Sequence, residues 1–293
     1  MPVLVASDLD RTLIYSAAAL ALTMPDARAP RLLCVEVHES KPLSYMTETA
    51  GQLLTDLGDA AVFVPTTTRT RKQYERINLP GPAPRYAICA NGGHILVDGV
   101  SDPDWNAQVT ARLAEQCAPL AEVQDHLMAT ASPAWVRKHR IAEDLFAYLV
   151  VERELLPEAW VKELAVWAEN RGWTVSLQGR KLYAVPKPLT KSAAMHELAR
   201  RTGAEVTLAA GDSLLDADLL LAADRGWRPG HGELADTEFT APAISALPER
   251  GVLAGERILR EFLKATGTTA PLRGAGNCAT SPHAPADDNA RTT

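Results

Sequence analysis

Asp8 and Asp10 stand two residues apart at the end of the apolar run VLVAS, followed by Thr12 and the apolar pair Leu13-Ile14. Two other apolar runs end in a related way. VFVP leads into Thr66, Thr67, Thr68 and Arg69, and VTLAAG leads into Asp212, with Asp216 four residues on. Lys191, four residues after Lys187 in KPLTK, brings a positive charge to the start of a predicted helix. Open parallel sheets bind ligands beyond the carboxyl ends of their strands. If the three runs are neighbouring strands, one crevice holds four carboxylates, several hydroxyls and the amides of helix N-termini. Four carboxylates repel one another, so a cation belongs among them. An oxygen-only donor set without a His/Cys cluster fits Mg²⁺, which keeps room in its shell for water and phosphate oxygens.

Such a crevice suits phosphoryl transfer. A carboxylate at Asp8 can attack phosphorus in line and form an aspartyl-phosphate. Mg²⁺ and a lysine would neutralise charge on the transferring group. Asp10 can protonate the leaving oxygen and then take a proton from the attacking water, provided its pKa differs from that of Asp8. Uncatalysed monoester hydrolysis needs accelerations of up to ~10²¹, so positioning, metal and general acid must all contribute.

The elements that must position these residues are read from hydrophobic periodicity and punctuation. Residues 3–7 read as a buried central strand, 15–30 as a loop or short helix, and 31–40 as a strand. A helix over 45–58 closed by Gly58, a strand over 60–65 and a polar helix from TRKQYERI follow. Residues 85–99 read as two strands around the turn Asn91-Gly92-Gly93. From 104 the pattern changes. A long helical stretch over 104–128 is broken at Pro119, WVRKHRI and LFAYLVVE read as strands, and 157–172 is a helix between Pro157 and Gly172. WTVSLQG and KLYAVPK are two more strands around Gly179. Strand-helix alternation then resumes: a helix over 189–203 stopped by Gly203, a strand over 206–213, a helix in LLDADLLLAA, a loop from Gly226 to Gly232, and a last helix over 255–267. Residues 268–293, rich in Thr, Ala, Pro, Gly and Asn, are expected to be a disordered tail. The fold class is therefore α/β: a Rossmann-like, doubly wound parallel core over 1–103 and 187–267, interrupted by an α+β block over 104–186.

Composition narrows the function. Of 293 residues, 46% are apolar and 23% charged, with a net charge of −6. Without clustered Lys and Arg, nucleic acid is not the expected partner; a small anionic ligand needs only a local pocket. Cys34, Cys89, Cys117 and Cys278 form no CxxC pair and no zinc spacing, so they read as reduced thiols. The start has no basic n-region, and SAAALAL falls far short of the ~20 residues of a spanning helix. The expectation is a cytoplasmic protein with no membrane partner and an unspecified oligomeric state. Five tryptophans, Trp105, Trp135, Trp160, Trp167 and Trp173, crowd the middle block; packing is the first reading and a sugar-stacking platform the second. Arg137, Lys138 and Arg140 read first as a solvated basic strand edge, and second as cap contacts to an anionic substrate.

Taken together, Asp8-Leu9-Asp10-Arg11-Thr12-Leu13, Thr67-Thr68-Arg69, Lys191 in PKPLTKSAAM, and Gly211-Asp212-Ser213-Leu214-Leu215-Asp216 resemble the four motifs of the haloacid dehalogenase-like superfamily of phosphohydrolases, in order and spacing. The long insert between the second and third motifs, and the Asn91-Gly92 turn, are similar to its C2-capped branch, which includes Cof-type, sucrose-phosphate and mannosyl-3-phosphoglycerate phosphatases. The resemblance covers roughly 1–100 and 187–265, and the cap matches in architecture only. It implies Asp8 as nucleophile and metal ligand, and Asp10 as general acid/base that lends its backbone carbonyl to the metal. Thr67, the Thr68 amide and Lys191 would hold phosphate. Asp212 would bind Mg²⁺ directly, and Asp216 directly or through water. Asn91, Arg69 and Lys187 are possible substrate contacts. The sequence departs from the pattern at Arg11 and Thr68, where the branch usually has Gly, and at Leu215, where it usually has Asn. The implied activity is a Mg²⁺-dependent phosphatase of a small phosphorylated metabolite such as a sugar phosphate. A sugar-phosphate phosphomutase and a catalytically weak binding or regulatory protein are the alternatives.

Overall fold

The computed structural model of the protein describes residues 1–267; the tail expected over 268–293 lies outside the described residues. From the N-terminus, β1 (Val3–Ser7) leads through two short 3-10 turns to the hairpin of β2 (Leu32–His38) and β3 (Lys41–Thr47). Then come α1 (Glu48–Ala60), β4 (Val62–Pro65), α2 (Arg71–Tyr74), and the meander β5 (Tyr86–Cys89), β6 (His94–Val97) and β7 (Val100–Ser101). The middle of the chain forms α3 (Pro103–Gln116), α4 (Leu120–Thr130), β8 (Val136–Ala142), β9 (Phe146–Val151), α5 (Glu158–Glu169), β10 (Trp173–Gln178) and β11 (Lys181–Pro186). There follow α6 (Lys191–Thr202), β12 (Val206–Ala210), α7 (Ala217–Ala222), β13 (Arg225–Arg228), α8 (Glu233–Asp236), β14 (Ile244–Ala246) and α9 (Val252–Ala265).

Five of these strands build one parallel sheet in the order β14-β13-β12-β1-β4. The chain starts at β1, moves out to β4 on one side, and later fills β12, β13 and β14 on the other. The strand order therefore reverses at β1, which is where an open α/β sheet leaves a ligand crevice. The register sets the three polar strand ends level: Ser7 lies opposite both Ala210 and Pro65. Side chains of β1 alternate between two cores. Leu4 and Ala6 pack with Met195 and Leu198 of α6, and Val5 packs with Leu54 and Leu57 of α1 and Ile258 and Phe262 of α9. Burial on both faces explains the unbroken apolar run. Each such large side chain contributes roughly 1.5–3 kcal/mol.

Residues of the middle block form a separate four-stranded antiparallel sheet in the order β10-β11-β9-β8. Val123 and Leu127 of α4 and Leu164 and Ala168 of α5 share its apolar cluster. Trp105, Trp135 and Trp173 are buried in packing, and Trp135 and Trp160 lie 4.6 Å apart by ring centroid. Trp167 stacks on His126 and under Arg171. The packing reading of these tryptophans is the observed one. Two polar straps tie this block to the parallel-sheet part. Glu233 accepts hydrogen bonds from Ser176 Oγ at 2.6 Å and the Leu177 amide at 2.8 Å, and Arg71 pairs with Glu143 at 2.8 Å.

Two expected elements are corrected. The helix expected over 45–58 begins at Glu48, and its first residues instead close the β2–β3 hairpin. Thr47 decides the boundary, since its side chain accepts from the Ala50 amide as an N-cap; Gly58 sits inside the helix. The loop expected from Gly226 contains β13, in which Gly226 and Trp227 pair with Ala209 and Ala210. The run RGWR carries no aliphatic signature, and the open edge of β12 made it a strand. Elsewhere punctuation held. Pro119 separates α3 from α4, and Gly203 ends α6 in the left-handed region at φ 64°; the start of α6 is set by Thr190, whose side chain accepts from the Ala193 amide. No described helix is long and apolar enough to cross a membrane.

Candidate active site

Asp8 is the first residue past β1. Its amide still donates to Ala210 O at 2.9 Å, so the β1–β12 ladder holds the residue level with the start of the 211–216 loop. Leu13 and Ile14 both donate to Leu9 O at 2.9 Å, which folds the chain into a tight turn and brings Thr12 back under Asp8. Thr12 Oγ1 then donates to Asp8 Oδ2 at 3.1 Å. Arg11 occupies this turn at φ 67°, a conformation costly for a residue with a side chain. His231 braces it: Nε2 donates to Arg11 O at 2.7 Å while Nδ1 accepts from the Gly251 amide at 3.1 Å. Those partners select the neutral Nε2–H tautomer, and burial lowers the pKa of the ring in keeping with it.

Lys191 opens α6 and is fully buried. Its ammonium donates to Asp8 Oδ1 at 2.7 Å and to Asp216 Oδ1, joining β1 to the 211–216 loop. The other oxygen of Asp216 accepts from the Asp212 amide at 3.1 Å, the Ser213 amide at 2.9 Å and Ser213 Oγ at 2.7 Å. Asp216 is thus taken up in shaping the loop that presents Asp212. Asp212 accepts from Arg11 Nε at 3.0 Å. Asn91 Nδ2 donates to Leu189 O at 2.8 Å, so its side chain braces the segment before Lys191. At Gly92, with φ +98°, an added Cβ would lie 2.1 Å from Thr190 O, which shows how closely that turn backs onto the lysine.

At the end of β4, Thr67 and Thr68 are buried. Thr67 Oγ1 accepts from the Arg69 amide at 3.1 Å. Among the described residues, the Thr68 amide has no hydrogen-bond acceptor. Arg69 itself turns to Asp10. Nε and Nη2 donate to the two carboxylate oxygens at 2.6 and 2.7 Å, and Nη1 reaches Glu36 at 2.9 Å.

Asp8, Asp212 and Asp216 each offer an oxygen, all within 4.8 Å of one another. Burial, with the nearby Asp216 and Asp10, outweighs the lowering effect of Lys191 and raises Asp8 to about 7. Burial, with Asp8 and Asp216, also holds Asp212 well above the ordinary carboxylate range. Lys191 is pulled down by burial, but Asp216 and Asp8 outweigh this and raise it. One ammonium and the half-exposed Arg11 guanidinium do not neutralise three buried carboxylates. A hard divalent cation with oxygen ligands, of which Mg²⁺ is the fitting example, suits this donor set. Asp10 is different: burial opposes its ionisation, yet the Arg69 fork lowers it to about 2.

The structure therefore brings together Asp8, Lys191, Asp212 and Asp216, with Thr67 and Thr68 at the adjoining strand end. The Asp10 carboxylate lies outside the group of three and belongs to Arg69. Arg69 is committed to two carboxylates, and Asn91 to a backbone carbonyl. Lys187 pairs at the surface with Glu169, so the structure gives it no part in this cluster. Sequence reasoning missed Glu36, which anchors Arg69, and Lys181 with Tyr183, which line a cavity of about 550 Å³ that also contains Asp10 and Thr68. The period-two spacing of Lys181 and Tyr183 in KLYAVP is the signal that would have placed them on one face.

No protein-family model matches the sequence, and no curated protein matches it. Solved structures do. The sucrose-phosphatase of Synechocystis sp. PCC6803, determined with sucrose and phosphate, superposes with a TM-score of 0.61 at 17% identity over 91% of this chain and 99% of that one. The C-terminal domain of trehalose-6-phosphate phosphatase from C. albicans gives 0.54 at 14% identity over 91% and 93%. A haloacid dehalogenase-like hydrolase from B. subtilis gives 0.52 at 14% identity over 88% and 98%. The resemblance carried by the four motifs thus holds at the level of architecture, and this chain has the fold of the haloacid dehalogenase-like phosphatases, a doubly wound parallel core with a separate antiparallel cap sheet.

Proposed function

We propose that the protein is a Mg²⁺-dependent phosphatase that hydrolyses a small phosphorylated metabolite through an aspartyl-phosphate on Asp8. The observation that carries this reading is the bridge from Lys191 to Asp8 Oδ1 and Asp216 beside Asp212. In it, an Asp8 carboxylate oxygen attacks phosphorus, the ester oxygen leaves, and water later attacks the phosphoryl-aspartate. Asp8 and Asp212, with the Asp10 carbonyl, would hold the cation, with Asp216 supporting Asp212; when bound, it neutralises carboxylate and phosphate charge. The Thr67 hydroxyl, the Thr68 amide and Lys191 bind the non-bridging oxygens. Asp10 is ionised in the free protein, fit to take the proton of the attacking water. For the first step Asp10 must carry a proton to give to the ester oxygen, which requires that the bound substrate draw Arg69 off the carboxylate it now holds at about 2. The division into a core over 1–103 and 187–267 and a cap over 104–186 gives the cap the task of excluding water and choosing the substrate. The three named neighbours, two of them sugar-phosphate phosphatases, support this reading.

The Arg11–Asp212 ion pair favours a second reading, a protein that binds phosphorylated ligands but turns them over weakly. Phosphate release from p-nitrophenyl phosphate, with and without Mg²⁺, separates the two. Metal-dependent turnover that disappears in Asp8→Asn supports the phosphatase; equal turnover in that variant would remove Asp8 as nucleophile.

A further inference from the structure

The cavity that contains Asp10 and Thr68 is lined by six cationic side chains against two carboxylates, Asp10 and Glu36. Three of the cations are already committed. Arg69 holds Asp10 and Glu36, Arg76 reaches Glu36 at 3.1 Å, and Arg11 holds Asp212. The other three, Lys138, Arg180 and Lys181, come from the cap sheet and its β10–β11 turn. Among the described residues, none of them forms an ion pair with a carboxylate; Lys181 lies 5.8 Å from the Tyr148 ring, with Tyr183 and Asp10 near enough to favour its charge.

Their placement follows from the register of the cap sheet. Gln178 pairs with Lys181, Lys181 with Val150, and Val150 with Lys138. These four residues form one row across four strands, and all four line the cavity. Lys181 and Lys138 flank Val150, two inter-strand steps apart, or roughly 10 Å. Like charges in one row repel, and the carboxylate that reaches Lys181, Asp10, is already held by Arg69. A cavity of about 550 Å³ is of the size that takes a small metabolite.

We infer that Lys138 and Lys181, assisted by Arg180, form a second anion site, and that the substrate is a phosphomonoester carrying another anionic group, a carboxylate or a second phosphate, at its far end. This rests on the phosphatase reading for the identity of the first site, where the scissile phosphate meets Asp8. A sugar phosphate with no second anionic group would leave this row facing Asp10, which Arg69 already holds, whereas a ligand with a carboxylate or a second phosphate at its far end satisfies both ends and fixes its direction of entry.

The test compares matched ligands. 6-Phosphogluconate against sorbitol 6-phosphate differs in a carboxylate, and fructose 1,6-bisphosphate against fructose 6-phosphate differs in a phosphate. Phosphate release by the full-length protein with Mg²⁺ gives kcat/KM, and calorimetric titration of the Asp8→Asn protein gives Kd. The doubly anionic member of at least one pair should be preferred by about tenfold or more, the scale of a lost charge-assisted hydrogen bond. The pair that shows it identifies carboxylate or phosphate. In a Lys138→Met/Lys181→Met variant the preference should collapse to within about twofold; Arg180→Met, in an exposed turn, reports the same loss in smaller measure if the double variant does not fold. No preference in either pair, or a preference that survives these substitutions, overturns the inference. A binding preference without turnover of any ester, p-nitrophenyl phosphate included, would keep the second site and sink the phosphatase reading. Turnover without preference would do the reverse.

Discussion

Lys191 Nζ lies 2.7 Å from Asp8 Oδ1, across 183 residues of chain, and the same ammonium also holds Asp216. A fully buried lysine is tolerable because those carboxylates compensate it, and they are tolerable because of it.

Lys191→Met should therefore cost stability as well as activity. Removing one partner of a buried ion pair leaves uncompensated charge and costs about 3–5 kcal/mol. Urea unfolding at pH 7 measures the loss, and phosphate release should fall by roughly a thousandfold or more. A variant as stable as the parent would show that the lysine is not the counterion of Asp8.

Arg11→Gly should tighten Mg²⁺ binding. The guanidinium sits on Asp212 at 3.0 Å, where it competes with a cation for the same carboxylate. Its φ of 67° is one that glycine adopts without the ~1–2 kcal/mol penalty of other residues. Calorimetric titration with MgCl₂ should give a Kd about tenfold lower than in the parent protein, with no loss of thermal stability in the absence of metal.

The affinity for Mg²⁺ should rise with pH between about 5 and 8. Asp8 ionises in the metal-free fold at about 7 rather than 3.8, mainly because it is buried, and Asp212 is raised in the same direction. The folded protein thus binds more protons than the unfolded chain across that window, so these groups contribute stability at low pH that is lost as pH climbs through 7. A cation replaces the protons. The gain in Tm on adding MgCl₂ should be larger at pH 8 than at pH 5, and titration in buffers of different ionisation enthalpy should register proton release. Equal gains at both pH values would contradict the assignment.

Gly92→Ala should disturb the site from behind. A methyl group there meets Thr190 O at 2.1 Å, on a backbone at φ +98°, so the segment carrying Lys191 must move. A stability loss of about 2 kcal/mol, with kcat reduced more than KM is raised, is the expected outcome. A comparable substitution at Gly58, where an added Cβ meets nothing within 4 Å, is the control.

Much of this site was legible because its residues sit at the ends of apolar runs. VLVAS, VFVP and VTLAA announce buried parallel strands, and Asp8, Thr67, Thr68 and Asp212 are the polar residues that follow them. Lys191 was legible from its place at the start of a helix that Gly203 closes. Local rules failed where a tertiary partner decides the element. RGWR became a strand only because β12 offered an edge, and Tyr45–Thr47 joined a hairpin rather than a helix because β2 was there to pair with.

The amino-acid sequence by itself determined that Asp8, Thr67, Thr68, Lys191 and Asp212 stand at strand ends and a helix start, since these are properties of short segments. Only the tertiary structure decided which charges they meet there. That Arg69 takes Asp10 and Glu36, that Arg11 covers Asp212, and that Lys138 and Lys181 share one row of the cap sheet all depend on register and packing between segments distant in the chain. Coulombic energies vary with separation and burial, and no spacing along a sequence specifies either.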